Sequence, residues 1–172
     1  MRKIAMTIAS IVLLASISPA QINQVTVKVD GLACAFCAYG LQKGLKRVEG
    51  VRDVKVYVDA GRAELQFKKG VPAGLEEIGP AVKRAGYTPR EIRVEATGRL
   101  VDWNGSPALA LEGTDEKLLL NGSDVLKRLR QDLKAKGDSA KVTAVGTLEQ
   151  LMPAEHHGHP VTLRLEKFNI AP

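Results

Sequence analysis

The sequence reads as an α+β protein in two parts, a β-α-β-β-α-β unit over residues 21–96 and a small β-rich unit over residues 97–172. Apolar and polar residues alternate with period two at Val25-Thr26-Val27-Lys28-Val29 and again at Val54–Val58 and Ala63–Phe67, the mark of half-buried strands. Between and after these strands the apolar period lengthens to three and four residues, as on one face of a helix. In the second half, short strand-like runs predominate and one helical run interrupts them.

The first strand ends at Asp30-Gly31. Ala38, Leu41, Leu45 and Val48 then fall on one helical face that starts near Cys37 and stops at Glu49-Gly50, with glycine in its usual place past a helix end. The turn Asp59-Ala60-Gly61-Arg62 joins the next two strands into a hairpin. Leu75, Ile78, Val82 and Ala85 mark a second helix within 72–86, and Gly79-Pro80 inside it predicts a bend or a late start. Gly86-Tyr87-Thr88-Pro89 leads to a last strand over Glu91–Glu95. This order is that of the ferredoxin-like split βαβ fold.

From residue 97 the pattern predicts strands at Thr97–Val101 and Ala108–Leu111 around the turn Asn104-Gly105-Ser106-Pro107, and a third at Lys117–Leu120. A helix follows, capped by Ser123, with Val125, Leu126, Leu129 and Leu133 on one face. Strands at Lys141–Leu148 and Val161–Phe168 complete the chain. Three strands, a helix and two strands is the order of an OB-like barrel. No Pro/Gly/Ser-rich linker separates the halves, so the join near Ala96-Thr97 is expected to be tight.

Residues 1–20 read as a secretory signal: Arg2 and Lys3, an apolar run from Ile4 to Ile17, then Ser18-Pro19-Ala20. The run is 14 residues, short of the roughly 20 that span a bilayer, so cleavage before Gln21 and no stable membrane insertion afterwards are expected. Export implies a periplasmic or secreted protein in an oxidising compartment. Residues 21–96 carry 13 basic and 9 acidic side chains, and residues 97–172 carry 10 of each. Neither half is basic enough for a nucleic-acid footprint. Trp103 and Phe168, the two aromatics of the second half, make a poor stacking platform. No Ser-His-Asp set or carboxylate pair marks an enzyme, and the second half reads as a docking or dimerising module.

The chemistry concentrates at Gly31-Leu32-Ala33-Cys34-Ala35-Phe36-Cys37. Cys34 falls on the loop leaving the first strand and Cys37 in the first turn of the helix. Unpaired backbone N–H groups at a helix start favour a thiolate, by roughly 0.3–1 kcal/mol. That is well under one pKa unit, so a bound soft cation would do most of the deprotonation. Two sulfurs are too few for a tetrahedral structural zinc. They suit an ion content with a near-linear pair of thiolates, such as Cu(I), or Hg(II) and Ag(I) among toxic ions. Bonds of about 2.3 Å need the sulfurs roughly 4–4.5 Å apart, within reach of a two-residue spacing. The same motif also serves thiol-disulfide oxidoreductases. Against that alternative, one strand precedes the motif, no tryptophan flanks it, and no thioredoxin-like cis-proline context follows. A resting disulfide between the two cysteines is also compatible with the compartment, and metal binding would then require reduction.

Residues 23–96 resemble the heavy-metal-associated domain family of copper chaperones, copper-ATPase modules and periplasmic mercury-binding proteins. The resemblance rests on the cysteine motif, on Val48-Glu49-Gly50-Val51 and on Ala85-Gly86-Tyr87. It implies that Cys34 and Cys37 hold the metal, Cu(I) or Hg(II). It also implies that the partners are the ion and a membrane transporter or another metal-binding protein. The family's methionine is Leu32 here, expected to pack inward beneath the loop. Tyr87 would lie near the cysteines as a supporting hydroxyl or as core, and Phe36 would either shield the site or pack. Glu155-His156-His157-Gly158-His159 holds every histidine of the chain. His156, His157 and His159 form a possible second site for Cu(II), Zn or Ni, although a solvated polar loop is the simpler reading.

Overall fold

The computed structural model describes residues 22–33, 35–137, 140–149 and 161–171. The expected signal segment, Cys34 and the histidine cluster lie outside them. Eight strands and three helices follow in the order β1 (Ile22–Asp30), α1 (Ala35–Leu45), β2 (Val51–Tyr57), β3 (Arg62–Phe67), α2 (Leu75–Arg84), β4 (Thr88–Trp103), β5 (Ser106–Leu111), β6 (Lys117–Asn121), α3 (Ser123–Lys136), β7 (Val142–Leu148) and β8 (Thr162–Ile170). Among the described residues no helix is long and apolar enough to cross a membrane.

The first half is the expected ferredoxin-like unit. Its strands lie in the order β2-β3-β1-β4, all antiparallel. The alternating residues point Val25, Val27, Val54, Ala63, Leu65 and Val94 into the core. Leu41 and Leu45 of α1 and Ile78 and Val82 of α2 close that core from one side. Each such aliphatic side chain contributes roughly 1.5–3 kcal/mol by leaving water. The opposite face of the sheet is polar and laced by ion pairs such as Lys28–Glu91 at 2.8 Å. Helix α2 starts at Leu75, the first residue of the apolar face and later than the start of the expected span 72–86, and carries Pro80 within it. Proline removes one backbone donor, and the amphipathic face with its four buried residues, Leu75, Ile78, Ala81 and Val82, holds the helix nonetheless.

In the second half β4-β5-β6-β8-β7 close into a five-stranded barrel through a β7–β4 pairing. The pair β6–β8 is parallel and the others are antiparallel. The chain order of three strands, helix and two strands, which suggested an OB-like barrel, is present. Leu129 and Leu133 of α3 are buried against it, while Val125 and Leu126 are half-buried. Ser123 does not cap α3. Gly122 takes that position at φ 120° with no side-chain cap, and its N–H donates to the Asn121 side-chain oxygen at 2.7 Å.

The two strands expected at 91–95 and 97–101 are one, β4, which runs unbroken across Ala96-Thr97. No turn-forming pair interrupts this stretch, and both its edges find partners. β1 pairs with residues 88–96 of β4, β7 with 93–98 and β5 with 98–103. Because β1 and β7 share residues 93–96 of β4 as partners, they lie on opposite edges; β5 continues the edge that β1 leaves. At the changeover, a Cβ built on Gly98 would lie 2.2 Å from the Ala110 carbonyl oxygen. Only glycine permits so close an approach of two backbones. The buried Thr97 hydroxyl ties the three strands together, at 3.1 Å from the Asn23 amide of β1 and 2.9 Å from the Thr143 hydroxyl of β7.

A second bridge joins barrel and ferredoxin-like unit. The Ala73 N–H, just before α2, donates to both carboxylate oxygens of Glu116 at 3.0 Å. Burial pushes the Glu116 carboxyl above its ordinary range. The Ala73 N–H pulls it back, and the charges of Glu76 and Glu49 push it up again.

Two outcomes are expected. Gly98→Ala should destabilise the protein by about 1–3 kcal/mol or more, the cost of overpacking; a urea midpoint equal to the parent's would contradict the close approach. Glu116 binds its proton more tightly folded than unfolded, so its ionised form costs stability at neutral pH. That cost is relieved as pH falls through the window between the unfolded and the raised folded values. Glu116→Gln keeps the oxygen acceptor without the charge. It should be at least as stable as the parent at pH 7, with an advantage that shrinks towards about pH 4.3, the ordinary Glu value. Urea melts at the two pH values check this, and a variant clearly weaker at pH 7 would contradict it.

Candidate metal centre

The site is built where β1 hands over to α1. Asp30 pairs with Thr88 at the end of the β1–β4 ladder, and Gly31 then turns the chain with φ +90°. That left-handed backbone favours glycine, and the Tyr87 ring lies 3.6 Å from where a Cβ would be. Leu32 is half-buried and packs against the core, as expected for the residue in the family's methionine position. Helix α1 begins at Ala35, which puts Cys37 in its first turn. A helix start favours thiolate over thiol once the sulfur is reduced.

Cys37 is half-buried and disulfide-bonded. No cysteine among the described residues is free. Tyr87, from the loop between α2 and β4, is half-buried, and its hydroxyl donates to the Cys37 backbone carbonyl at 2.9 Å. The Tyr87 ring packs beside Gly31 and against the core, and its hydroxyl ties down the turn that carries Cys37. The Arg90 guanidinium pairs with Asp30 beside the same loop.

Phe36 is 88% exposed and Tyr39 is 64% exposed. Phe36 does not pack into the core, which removes one of its two expected roles. The exposure of Tyr39 was missed in sequence, although its position three residues after Phe36 and off the Leu41–Leu45 face was the available signal. The structure brings Cys37, Tyr87, Gly31 and Leu32 together. Cys34, His156, His157 and His159 fall outside the described residues, and among the described residues no group of three or more His, Cys, Asp or Glu side chains is poised to hold a metal.

Residues 26–88 match the model of the heavy-metal-associated domain. The mercuric transport protein periplasmic component of Shigella flexneri is 35% identical over 81 residues, 46% of this chain and 88% of that protein. This chain belongs to the heavy-metal-associated domain family. The copper chaperone CopZ of Bacillus subtilis (strain 168) is 26% identical over 65 residues, 38% of this chain and 93% of that protein. The copper-transporting ATPase HMA5 of Oryza sativa subsp. japonica is 34% identical over 70 residues, 40% of this chain but 7% of its own length. The family match runs from Thr26 within β1 through α2 and stops at Thr88, the first residue of β4.

Tyr87→Phe removes the donor to the Cys37 carbonyl and keeps the ring. It should cost about 0.5–1.5 kcal/mol, the net value of one hydrogen bond, in urea unfolding of the disulfide form. An unchanged unfolding curve would contradict a role for that hydroxyl in holding the turn.

Proposed function

We propose that this protein is an exported carrier of one soft cation, Cu(I) or Hg(II), for transport, delivery or detoxification. The observation that carries the reading is the placement of Cys37, the second cysteine of Cys-x-x-Cys, half-buried in the first turn of α1 within a heavy-metal-associated domain. Cys34 and Cys37 are its ligands. The ion sits between the two thiolates and passes by stepwise thiolate exchange, with no net covalent turnover, to a membrane transporter or another metal-binding protein. The names of the mercury- and copper-handling relatives support this class of cargo.

On this reading residues 21–96 form the metal-binding module and residues 97–172 the docking module. Residues 1–20 export the chain, in keeping with a relative named as a periplasmic component. The Cys37 disulfide makes loading conditional: two electrons from a dithiol reductant must first convert it to thiols, whose protons the incoming cation displaces. A thiol oxidoreductase would instead turn this disulfide over.

Native mass spectrometry of the protein reduced and then offered Cu(I) and Hg(II) tests the reading. One tightly held ion is expected in the reduced parent, none in the oxidised parent, and none in the Cys34→Ser, Cys37→Ser double variant. Stoichiometric binding that survives the double variant would overturn it. A second, additional equivalent in the reduced parent that is lost below about pH 6.5, where imidazole protonates, would belong to His156, His157 and His159.

A further inference from the structure

The chain holds two copies of one tripeptide, Asn104-Gly105-Ser106 and Asn121-Gly122-Ser123. An asparagine before a glycine carries a latent reaction. The glycine's backbone nitrogen is unshielded by any side chain of its own, and it can reach the carbonyl carbon, Cγ, of the asparagine side chain. Both asparagines are exposed, so solvent has access to both. With the tripeptide the same, it is the fold that sets the two sites apart. At Asn104 the fold occupies the nitrogen. Asn104 and Gly105 turn β4 into β5 with φ of 51° and 78°, the left-handed pair that suits Asn-Gly in a hairpin. The Gly105 N–H donates to Asp102 Oδ1 at 2.9 Å. That carboxylate holds the nitrogen, and its negative charge opposes loss of the nitrogen's proton.

At Asn121 the nitrogen faces its own neighbour. The Gly122 N–H donates to Asn121 Oδ1 at 2.7 Å, and that oxygen is one bond from Cγ. The other end of the amide is fixed as well, with Nδ2 donating to Glu149 Oε1 at 3.1 Å. Gly122 precedes the first turn of α3, whose partial positive charge favours an anionic nitrogen. The fold also demands this glycine. Its φ is 120°, and a Cβ built on it would lie 2.9 Å from the Leu165 carbonyl oxygen. We propose that Asn121 is a site of spontaneous deamidation in the folded protein, and that Asp102 protects Asn104 from the same reaction. The Gly122 nitrogen gives its proton to solvent and attacks Cγ of Asn121. The N–Cγ bond forms, the Cγ–Nδ2 bond breaks, and the amide leaves as ammonia after taking a proton back from solvent. Water then opens the five-membered ring. Cleavage at Cγ leaves aspartate; cleavage at the main-chain carbonyl leaves isoaspartate, with the backbone routed through the side chain. Water is the co-reactant and no electrons are exchanged. Either product sets a new carboxylate against Glu149, and isoaspartate lengthens the backbone beside the Asn121–Arg164 pair of the β6–β8 ladder.

The full protein in its disulfide form is incubated in mildly alkaline buffer, with and without denaturing urea. Samples taken over time, including one at zero time, are cut with trypsin and read by mass spectrometry. Cleavage after Arg99, Lys117 and Lys127 puts the two asparagines on separate peptides, 100–117 and 118–127. Conversion reads as the mass gain from amide to acid, and the aspartate and isoaspartate forms of one peptide separate by chromatography. In the folded protein Asn121 should convert about two- to tenfold faster than Asn104, the rate ratio that one net hydrogen bond corresponds to. In urea the two rates should converge, because the tripeptides are the same. Asp102→Ala should speed Asn104 in the folded protein and leave Asn121 unchanged, and the unchanged Asn121 rate reports that the variant is folded. Conversion of Asn104 as fast as Asn121 in the folded parent would overturn the proposal. So would a rate difference that persists in urea, or an Asn104 rate indifferent to Asp102→Ala.

Discussion

The antiparallel ladder between β1 and β4 is the constraint on which the rest depends. It runs from Ile22 opposite Ala96 to Asp30 opposite Thr88. At its upper end it sets the loop that leaves β1 beside the loop that enters β4, and so brings Tyr87 within hydrogen-bonding distance of the Cys37 carbonyl. At its lower end β4 leaves β1 and becomes a barrel strand without a break. One strand therefore both supports the cysteine turn and carries the second half of the molecule.

Covering the outer edge of β4 has a physical consequence. An edge strand offers unpaired backbone groups to other chains, and here β7 occupies that edge over residues 93–98. The barrel is thus built into the sheet of the ferredoxin-like unit rather than hung from it. The Thr97 hydroxyl pair and the Glu116 carboxylate on Ala73 N–H add polar ties that fix their relation. The metal module can turn its cysteine pole outward while the barrel is held at its other end by a continuous strand.

Much of this was legible in sequence. Alternation at Val25–Val29 and Ala63–Phe67 reported strands because one face of each is buried, and Leu41 and Leu45 reported the helix face they do bury. The place of Cys37 in the first turn of α1 was legible because the handover from strand to helix is a local pattern. What escaped was non-local or governed by a single residue. The continuity of β4 across Ala96-Thr97 depends on partners from both halves, which a one-dimensional pattern does not carry. The Glu116–Ala73 contact spans 43 residues and leaves no periodic trace. Ser123 reads as a cap by type, yet Gly122 takes the position because its φ of 120° suits glycine. Phe36 reads as either a shield for the site or packing until its exposure of 88% excludes the second.

The central claim is that two sulfur atoms at the β1–α1 handover grip one soft ion. X-ray absorption at the metal edge of the reduced protein loaded with one equivalent of Cu(I) or Hg(II) tests it most directly. The account predicts a first shell of two sulfurs at about 2.3 Å and no imidazole scattering. A shell dominated by nitrogen or oxygen, or one holding fewer than two sulfurs, would contradict it.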